Sequence, residues 1–454
     1  MLRMILMASM LLFAGCCAVA AFAAEPRKIF PYPYSQEDLP NGLRLITVPT
    51  DYPNIVATYI VVHAGSRNEV EPGHTGFAHL FEHLMFKGTE KYPAAKYDET
   101  LKRIGAASNA FTAVDFTCYY TMFSKGDLGT VLAMEADRFQ NVKYSEPEFR
   151  TETLAVLGEY NKNSSSPFQK VEEVLNDTAF DKSTYKHTTM GFLKDIQDMP
   201  NQYQYSLTFF ERYYRPEYTT IIVAGDVKAR PTRAFVDKFW GAWKRGAYRP
   251  EIPQEPPQRG PRANRVEWPS PTLPLVTIAF KAPPYDDATK GTAALEALAS
   301  LAFSPTSDLY QKLVVEEQKA DSLEAAPPMN VDAALFRITA RVKKDADVDY
   351  VRDRILATVK AFQESPVDAA RLDAVRKRLR YSVALGMDSS DAIADAIAPY
   401  VALRRTPDTM NRLFDRYAQL TPEDVQKAAA KYLVEEVRTI VTLAGPGVGT
   451  GGGR

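Results

Sequence analysis

The stretch GFAHLFEHLMFKGT, residues 76–89, places two of the chain's five histidines in a strongly apolar setting. His79 and His83 are four residues apart, and Glu82 directly precedes the second histidine. Residues three and four apart share one face of a helix, so a helix here would project all three side chains together. Two imidazoles at this spacing can reach one divalent ion, and zinc binds nitrogen and carboxylate ligands in a tetrahedral site. The pattern therefore predicts a zinc-binding helix.

A plainer interpretation of this stretch is an amphipathic helix whose histidines lie in the core or at the surface. Three polar groups among leucine and phenylalanine are costly to bury unless a ligand such as a metal ion satisfies them. The H-x-x-E-H pattern is also rare by chance, which favours the metal site.

The best candidate for a third ligand lies in SEPEFRTETLAVLGEYNKN, residues 145–163. Ser145 and Glu148 form a capping box, which predicts that a helix begins at Ser145. Glu152 and Glu159 are seven residues apart, two helical turns, and therefore share a face of that helix. Spacing alone leaves open whether Glu159 binds the metal or lies on the solvent face.

The two halves of the chain repeat one pattern. A strand, IVATYIVVHAG, leads to the histidine helix in the first half, and LPLVTIAFKAP leads to the helix GTAALEALASLAF in the second. A Pro-rich linker, residues 246–265, separates the halves. We therefore expect an α+β fold of two homologous domains, 28–245 and 266–446, each a mostly antiparallel sheet packed with helices.

The ends of the chain carry separate signals. Residues 1–24 have the layout of a secretory signal peptide, with Arg3, an apolar run and a cleavage site after Ala23, which predicts an exported, periplasmic or secreted protein. Two alternatives are lipidation at Cys16 and an uncleaved anchor, and either would tether the chain to a membrane. The glycine-rich tail, residues 447–454, is predicted to be disordered.

The composition and net charge of the chain say little about its function. The 454 residues are 45% hydrophobic and carry a formal net charge of -1, which suits a multidomain globular protein and gives no indication of nucleic-acid binding. Only Cys118 would remain after cleavage of the leader, so no intramolecular disulfide can form in the mature chain.

The motif HLFEH, followed 76 residues after His83 by Glu159, resembles the pitrilysin/insulinase family of inverted zincins. The stretches GAASNAFTAVDFTCYY and YYRPEYTTIIVAGDV also match the family. The length and the duplicated halves are similar to its bacterial and mitochondrial-processing-peptidase-like branch. The resemblance covers essentially the whole mature chain, and it implies a zinc metalloendopeptidase acting on peptides or unfolded protein segments.

The resemblance also assigns roles to individual residues. It implies that His79, His83 and Glu159 bind one Zn²⁺ per chain and that Glu82 is the general base. Glu152 matches a second glutamate of the family helix, which helps to order the site. A family edge strand that pairs with substrate backbone falls on Asn109–Ala113, which contains the expected substrate-binding residues Asn109, Ala110, Phe111 and Thr112.

The second half departs from the metal-binding pattern. Alignment of the two halves puts Ala294, Ala297 and Leu298 at the positions of His79, Glu82 and His83, so the second half is not expected to bind zinc.

A second departure concerns the arginine and tyrosine, seven residues apart, that help active family members to bind and polarise the substrate carbonyl. Val314 and Asp321 stand at those positions here. The resemblance then implies a homologous sister subunit that supplies the Arg/Tyr pair. The alternatives are that another arginine and tyrosine of this chain compensate, or that the chain is a non-catalytic peptide-binding or scaffold subunit.

The remaining histidines, His63, His74 and His187, have no ligand-like spacing. We expect His63 and His74 to be structural or solvent-facing. The stretch STYKHTTMGF around His187 resembles a family loop, and no chemistry is assigned to it.

Overall fold

The computed structural model describes residues 28–446. The predicted signal peptide, 1–24, and the predicted disordered tail, 447–454, lie outside the described residues. Within residues 28–446, no helix has both the length and the apolar character required to cross a membrane.

The described residues form two sheets surrounded by helices. The eleven strands are β1 Ser35–Asp38, β2 Arg44–Pro49, β3 Ile55–Val62, β4 Ala107–Thr112, β5 Thr117–Ser124, β6 Thr219–Gly225, β7 Arg262–Glu267, β8 Leu275–Ala282, β9 Ala320–Ala326, β10 Ala334–Val342 and β11 Arg438–Ala444. The helices of the first half are α1 Phe77–Leu84, α2 Ala94–Arg103, α3 Leu128–Asn141, α4 Glu146–Asn163, α5 Pro167–Ala179, α6 Leu193–Asp198, α7 Tyr203–Tyr213 and α8 Ala229–Trp240. Those of the second half are α9 Gly291–Phe303, α10 Asp308–Tyr310, α11 Val348–Glu364, α12 Ala369–Gly386, α13 Ser390–Arg404, α14 Asp408–Ala418 and α15 Pro422–Tyr432.

The two sheets have the same topology. The first has the order β1-β2-β6-β3-β5-β4, and the second has the order β7-β11-β8-β10-β9. Apart from the additional β1, each sheet contains one parallel pair, β2 with β6 and β7 with β11, and all other neighbours are antiparallel. The predicted α+β fold class, with helices packed on mostly antiparallel sheets, is confirmed.

Each sheet has an apolar face that the other half of the chain covers. Strands β3 and β6 are buried along nearly their whole length, which is typical of strands covered on both faces. One face carries helices of the first half, and α13 of the second half packs against the other. In return, α5 of the first half packs on the second sheet. This exchange of helices brings side chains of both halves to one site.

The segment between the sheets is held by contacts with both halves of the chain, among them those of Glu255. The predicted linker, 246–265, contains no helix or strand as far as Pro261, but its last four residues belong to β7. The Glu255 carboxylate accepts hydrogen bonds from the backbone N–H groups of residues 181–183 and pairs with Lys281 of β8. The segment is therefore bound to both halves, and its ordered strand begins before the predicted boundary.

Candidate metal centre

Helix α1 begins at a backbone position that requires glycine. Gly76 has φ +91°, and a Cβ at this residue would lie 2.8 Å from the carbonyl oxygen of Met190. Because glycine offers no capping side chain, the buried carboxylate of Glu69 accepts hydrogen bonds from the N–H groups of Gly76 (2.8 Å) and Ala78 (2.7 Å). Burial raises the pKa of Glu69 to about 8, although the backbone hydrogen bonds oppose that shift. Glu69 thus fixes the start of the helix that carries both histidines.

Helix α4 begins as the sequence predicts. The Ser145 hydroxyl accepts from the backbone N–H of Glu148, and the Glu148 carboxylate accepts from the backbone N–H of Ser145 at 2.7 Å. One face of this helix is buried in the core and consists of Phe149, Thr153, Val156 and Tyr160. Glu152 and Glu159 lie on the neighbouring face, toward α1.

Three side chains converge between α1 and α4. His79 Nε2 lies 3.5 Å and His83 Nε2 lies 3.6 Å from the same oxygen, Oε2 of Glu159. One ligand atom from each residue lies within 4.8 Å of the other two. The structure therefore brings together the three residues that were expected to bind the metal.

The spacing of these atoms fits a zinc ion. Two atoms bound tetrahedrally at about 2.1 Å from one ion lie roughly 3.4 Å apart, close to the two separations from Glu159. The pKa of His79 is lowered to about 4, mainly because the imidazole is buried. The neighbouring His83 lowers this pKa further. His79 is therefore neutral at pH 7, as a metal-binding imidazole must be.

Glu152 contacts the far side of the His83 ring. Its Oε2 lies 3.5 Å from His83 Nδ1, and its other oxygen pairs with the ammonium group of Lys87. A carboxylate on the second ring nitrogen is the arrangement that fixes the tautomer and orientation of metal-binding histidines. Glu152 is thus placed to orient His83 and leaves the ligand position to Glu159.

Glu82 lies beside the three converging side chains, half-buried on the same face of α1. Thr112 Oγ1 donates a hydrogen bond of 2.7 Å to Glu82 Oε2. Burial raises the pKa of Glu82, and the hydrogen bond from Thr112 opposes this shift. A carboxylate with a raised pKa next to a metal site has the properties of a general base.

The site opens into a cavity of about 350 Å³ next to β4. Strand β4 is the edge of the first sheet and, within residues 28–446, pairs only with β5. Of the predicted substrate-binding residues, Phe111 and Thr112 line the cavity, whereas Asn109 and Ala110 lie further along β4. Ala113 falls just beyond the end of the strand.

The cavity-lining residues that were not predicted from the sequence include two charged residues and a histidine. Glu172 comes from α5, Arg337 comes from β10 of the second half, and His187 comes from the loop before α6. The ring of His187 is buried and its Nδ1 lies 2.9 Å from the carbonyl oxygen of Thr188. The only sequence feature that could have indicated a role for Arg337 is that a charged residue interrupts the apolar pattern of β10.

The other two histidines make structural contacts. His63 lies between the carbonyl oxygen of Ala402 and the hydroxyl of Thr220, at 3.1 and 3.0 Å. His74 stacks on Tyr205 with ring centroids 3.8 Å apart. Neither belongs to the metal-binding group.

Val314 and Asp321 lie outside the cavity lining. Val314 is half-buried in the π-helical segment Gln311–Glu316 that follows α10, and it packs against the apolar core. Asp321 on β9 pairs with Arg341 at 3.3 Å. At the positions in α9 that match His79, Glu82 and His83, the side chains of Ala294, Ala297 and Leu298 are buried in the core. The second half therefore offers no metal ligand at these positions.

Comparison with known proteins gives two adjoining family matches. Residues 44–192 match the model of insulinase (peptidase family M16), and residues 202–379 match that of the peptidase M16 inactive domain. The zinc protease PqqE of Helicobacter pylori is 26% identical over 89% of this chain and 91% of its own length. A probable mitochondrial-processing peptidase subunit beta of Arabidopsis thaliana is 26% identical over 88% of this chain and 76% of its own. A crystal structure of a protease from Helicobacter pylori superimposes with a TM-score of 0.85 at 26% identity, covering 91% of this chain and 99% of that one.

Proposed function

Because this chain belongs to the pitrilysin/insulinase family of peptidases, we propose that it is a zinc-dependent endopeptidase that cleaves peptides or unfolded protein segments. The observation that carries the proposal is the convergence of His79, His83 and Glu159 with Glu82 beside them. The three ligand groups would hold one zinc ion and leave a fourth coordination position open.

The chemistry divides between the ion and the chain. A zinc ion in this site supplies a water molecule of lowered pKa and polarises the scissile carbonyl group. Glu82 accepts the proton of the attacking water and then donates it to the leaving amine. Its raised pKa favours the first transfer, in which Glu82 accepts the proton, and the hydrogen bond from Thr112 holds the carboxylate in one orientation.

The edge position of β4 supports an extended substrate. A peptide that adds to a free strand edge binds through its main chain, and such binding accepts many sequences. This requirement for an extended segment is the reason that unfolded chains and peptides are the proposed substrates. Phe111 and Thr112 would contact the residues nearest to the cleaved bond because both line the metal cavity.

We propose further that this chain is the metal-carrying subunit of a heterodimer. Val314 and Asp321 cannot perform the task of an arginine and a tyrosine, and neither lines the metal cavity. A homologous sister subunit would supply that pair. The same observation favours the second candidate, a non-catalytic peptide-binding subunit, but the complete ligand set and Glu82 support the enzyme.

The predicted leader supports a further proposal, that the chain is exported.

The experiment is to express the tagged full-length chain in its own organism, where any sister subunit is also made, and to purify it with its bound partners. Digestion of an unfolded protein is then measured with and without a chelator. We expect hydrolysis by the complex, loss of hydrolysis with chelator, and little hydrolysis by the zinc-loaded chain alone.

Two other outcomes would each contradict one part of the proposal. Full activity of the single chain would refute the heterodimer and retain the peptidase. A zinc-loaded complex that binds peptides and never cleaves them would favour the non-catalytic subunit.

A further inference from the structure

A single arginine from the second half lies in the wall of the metal cavity. Arg337 is the only lysine or arginine among the described residues that line this cavity. It comes from β10, where residues 337, 339 and 341 point to the same side of the sheet. It thus places a positive charge in a cavity that also contains the carboxylates of Glu82, Glu159 and Glu172.

Arg337 also lines a second cavity, on the face of the second sheet that α5 partly covers. This cavity of about 180 Å³ is bordered by α5 and by strands β8, β9 and β10. Arg337 and Glu172 are the two residues that line both cavities. An extended chain that runs from the metal ligands along the second sheet therefore has to pass this pair.

The guanidinium of Arg337 has unused hydrogen-bonding capacity. Its Nη1 donates to Glu172 Oε1 at 2.8 Å, whereas its Nε is buried without a partner within the described part of the chain. The side chain is 38% exposed, so it can adjust toward a ligand. A guanidinium carries five N–H donors, and a buried donor without an acceptor is unfavourable. A planar carboxylate is the acceptor that best matches these donors.

We propose that Arg337 selects substrates with an aspartate or glutamate side chain close to the cleaved bond. This inference rests on the proposed function, because it names the substrate class of that site. No other lysine or arginine among the described residues lines the metal cavity. The preference is therefore confined to the one substrate position that meets Arg337.

The test is a binding measurement on the zinc-loaded Glu82→Gln chain, alone and with its sister subunit. The probes are pairs of labelled peptides that differ only by glutamate or glutamine at one position, scanned along an extended peptide that the zinc-loaded chain binds. Fluorescence anisotropy gives the ratio of the two affinities at each position. We expect the glutamate peptide to bind about tenfold more tightly at one position, the gain of one charge-assisted hydrogen bond.

Three further variants in the same background assign this ratio to Arg337. Arg337→Met should reduce it to about one, and Glu172→Gln should increase it because the guanidinium loses its competing partner. Arg341→Met is the matched control, since Arg341 lies on the same face of β10 and lines neither cavity; its ratio should stay that of the parent.

Three results would overturn the inference. These are equal affinities at every position, an unchanged ratio in Arg337→Met, with or without equal weakening of both peptides, and no binding of any peptide. Equal weakening would mean that Arg337 contacts the substrate main chain. Because no turnover is needed, a complex that shows the preference but never hydrolyses peptides would refute the proposed function and leave this inference standing.

Discussion

Replacement of Glu82 by glutamine is expected to reduce peptide hydrolysis by about 10³-fold while the chain keeps its zinc. Glutamine has nearly the same shape and can still accept the hydrogen bond from Thr112. It cannot take a proton from water at neutral pH, so the step assigned to Glu82 is lost. The measurement combines the rate of peptide cleavage by the Glu82→Gln complex with its zinc content by elemental analysis.

Glu146→Gln is the matched control for this variant. Glu146 is an exposed carboxylate in the first turn of α4, where it pairs with Arg150, and it lies outside the cavity lining. Its loss should leave both the cleavage rate and the zinc content unchanged. Retained turnover in purified Glu82→Gln would remove Glu82 from the role of general base.

Replacement of His79 by alanine is expected to remove the metal and, with it, all hydrolysis. His79 provides one of the three ligand atoms, and the remaining pair, His83 and Glu159, would hold zinc with only two protein ligands. We expect His79→Ala to lower the affinity for zinc by more than about 100-fold. Glu152 contacts a metal ligand and not the metal, so Glu152→Gln should lower that affinity by only about 10- to 100-fold. Elemental analysis and competition with a chelator of known affinity measure it.

His74→Ala provides the matched control, because His74 stacks on Tyr205 outside the metal-binding group. It should keep about one zinc ion per chain. Unchanged zinc content in His79→Ala would contradict the assignment of this residue as a ligand.

The local features of the site could be predicted from the sequence because they depend on helical periodicity. The spacing of His79, Glu82 and His83 places them on one face of any helix, and the capping box at Ser145 predicts where α4 begins. The periodicity could not decide between a ligand and a solvent-facing role for Glu159. That choice depends on how α4 packs against α1, and packing between helices is not encoded in the spacing within either one.

The remaining parts of the site come from contacts between residues distant in sequence. Arg337 reaches the metal cavity because α5 of the first half packs on the second sheet, and α13 covers the first sheet in return. The apolar patterns of these elements predict that each needs a partner, but they do not say which one. Glu69 likewise lies in a polar stretch that is typical of a loop, and only the folded structure brings its carboxylate to the start of α1.

The start of β7 shows a smaller difference of the same kind. Its residues 262–265 are charged and polar, so the sequence favours a linker. They form a strand because the backbone pairs in parallel with β11, and that pairing does not require apolar side chains.

Anomalous diffraction at the zinc absorption edge, from crystals of the zinc-loaded chain, would locate the metal ion itself. We expect one strong peak between α1 and α4, at about 2.0–2.2 Å from a nitrogen of His79, a nitrogen of His83 and a carboxylate oxygen of Glu159. A peak bound by other residues, or no peak at this position in zinc-saturated crystals, would contradict the assignment of these three ligands.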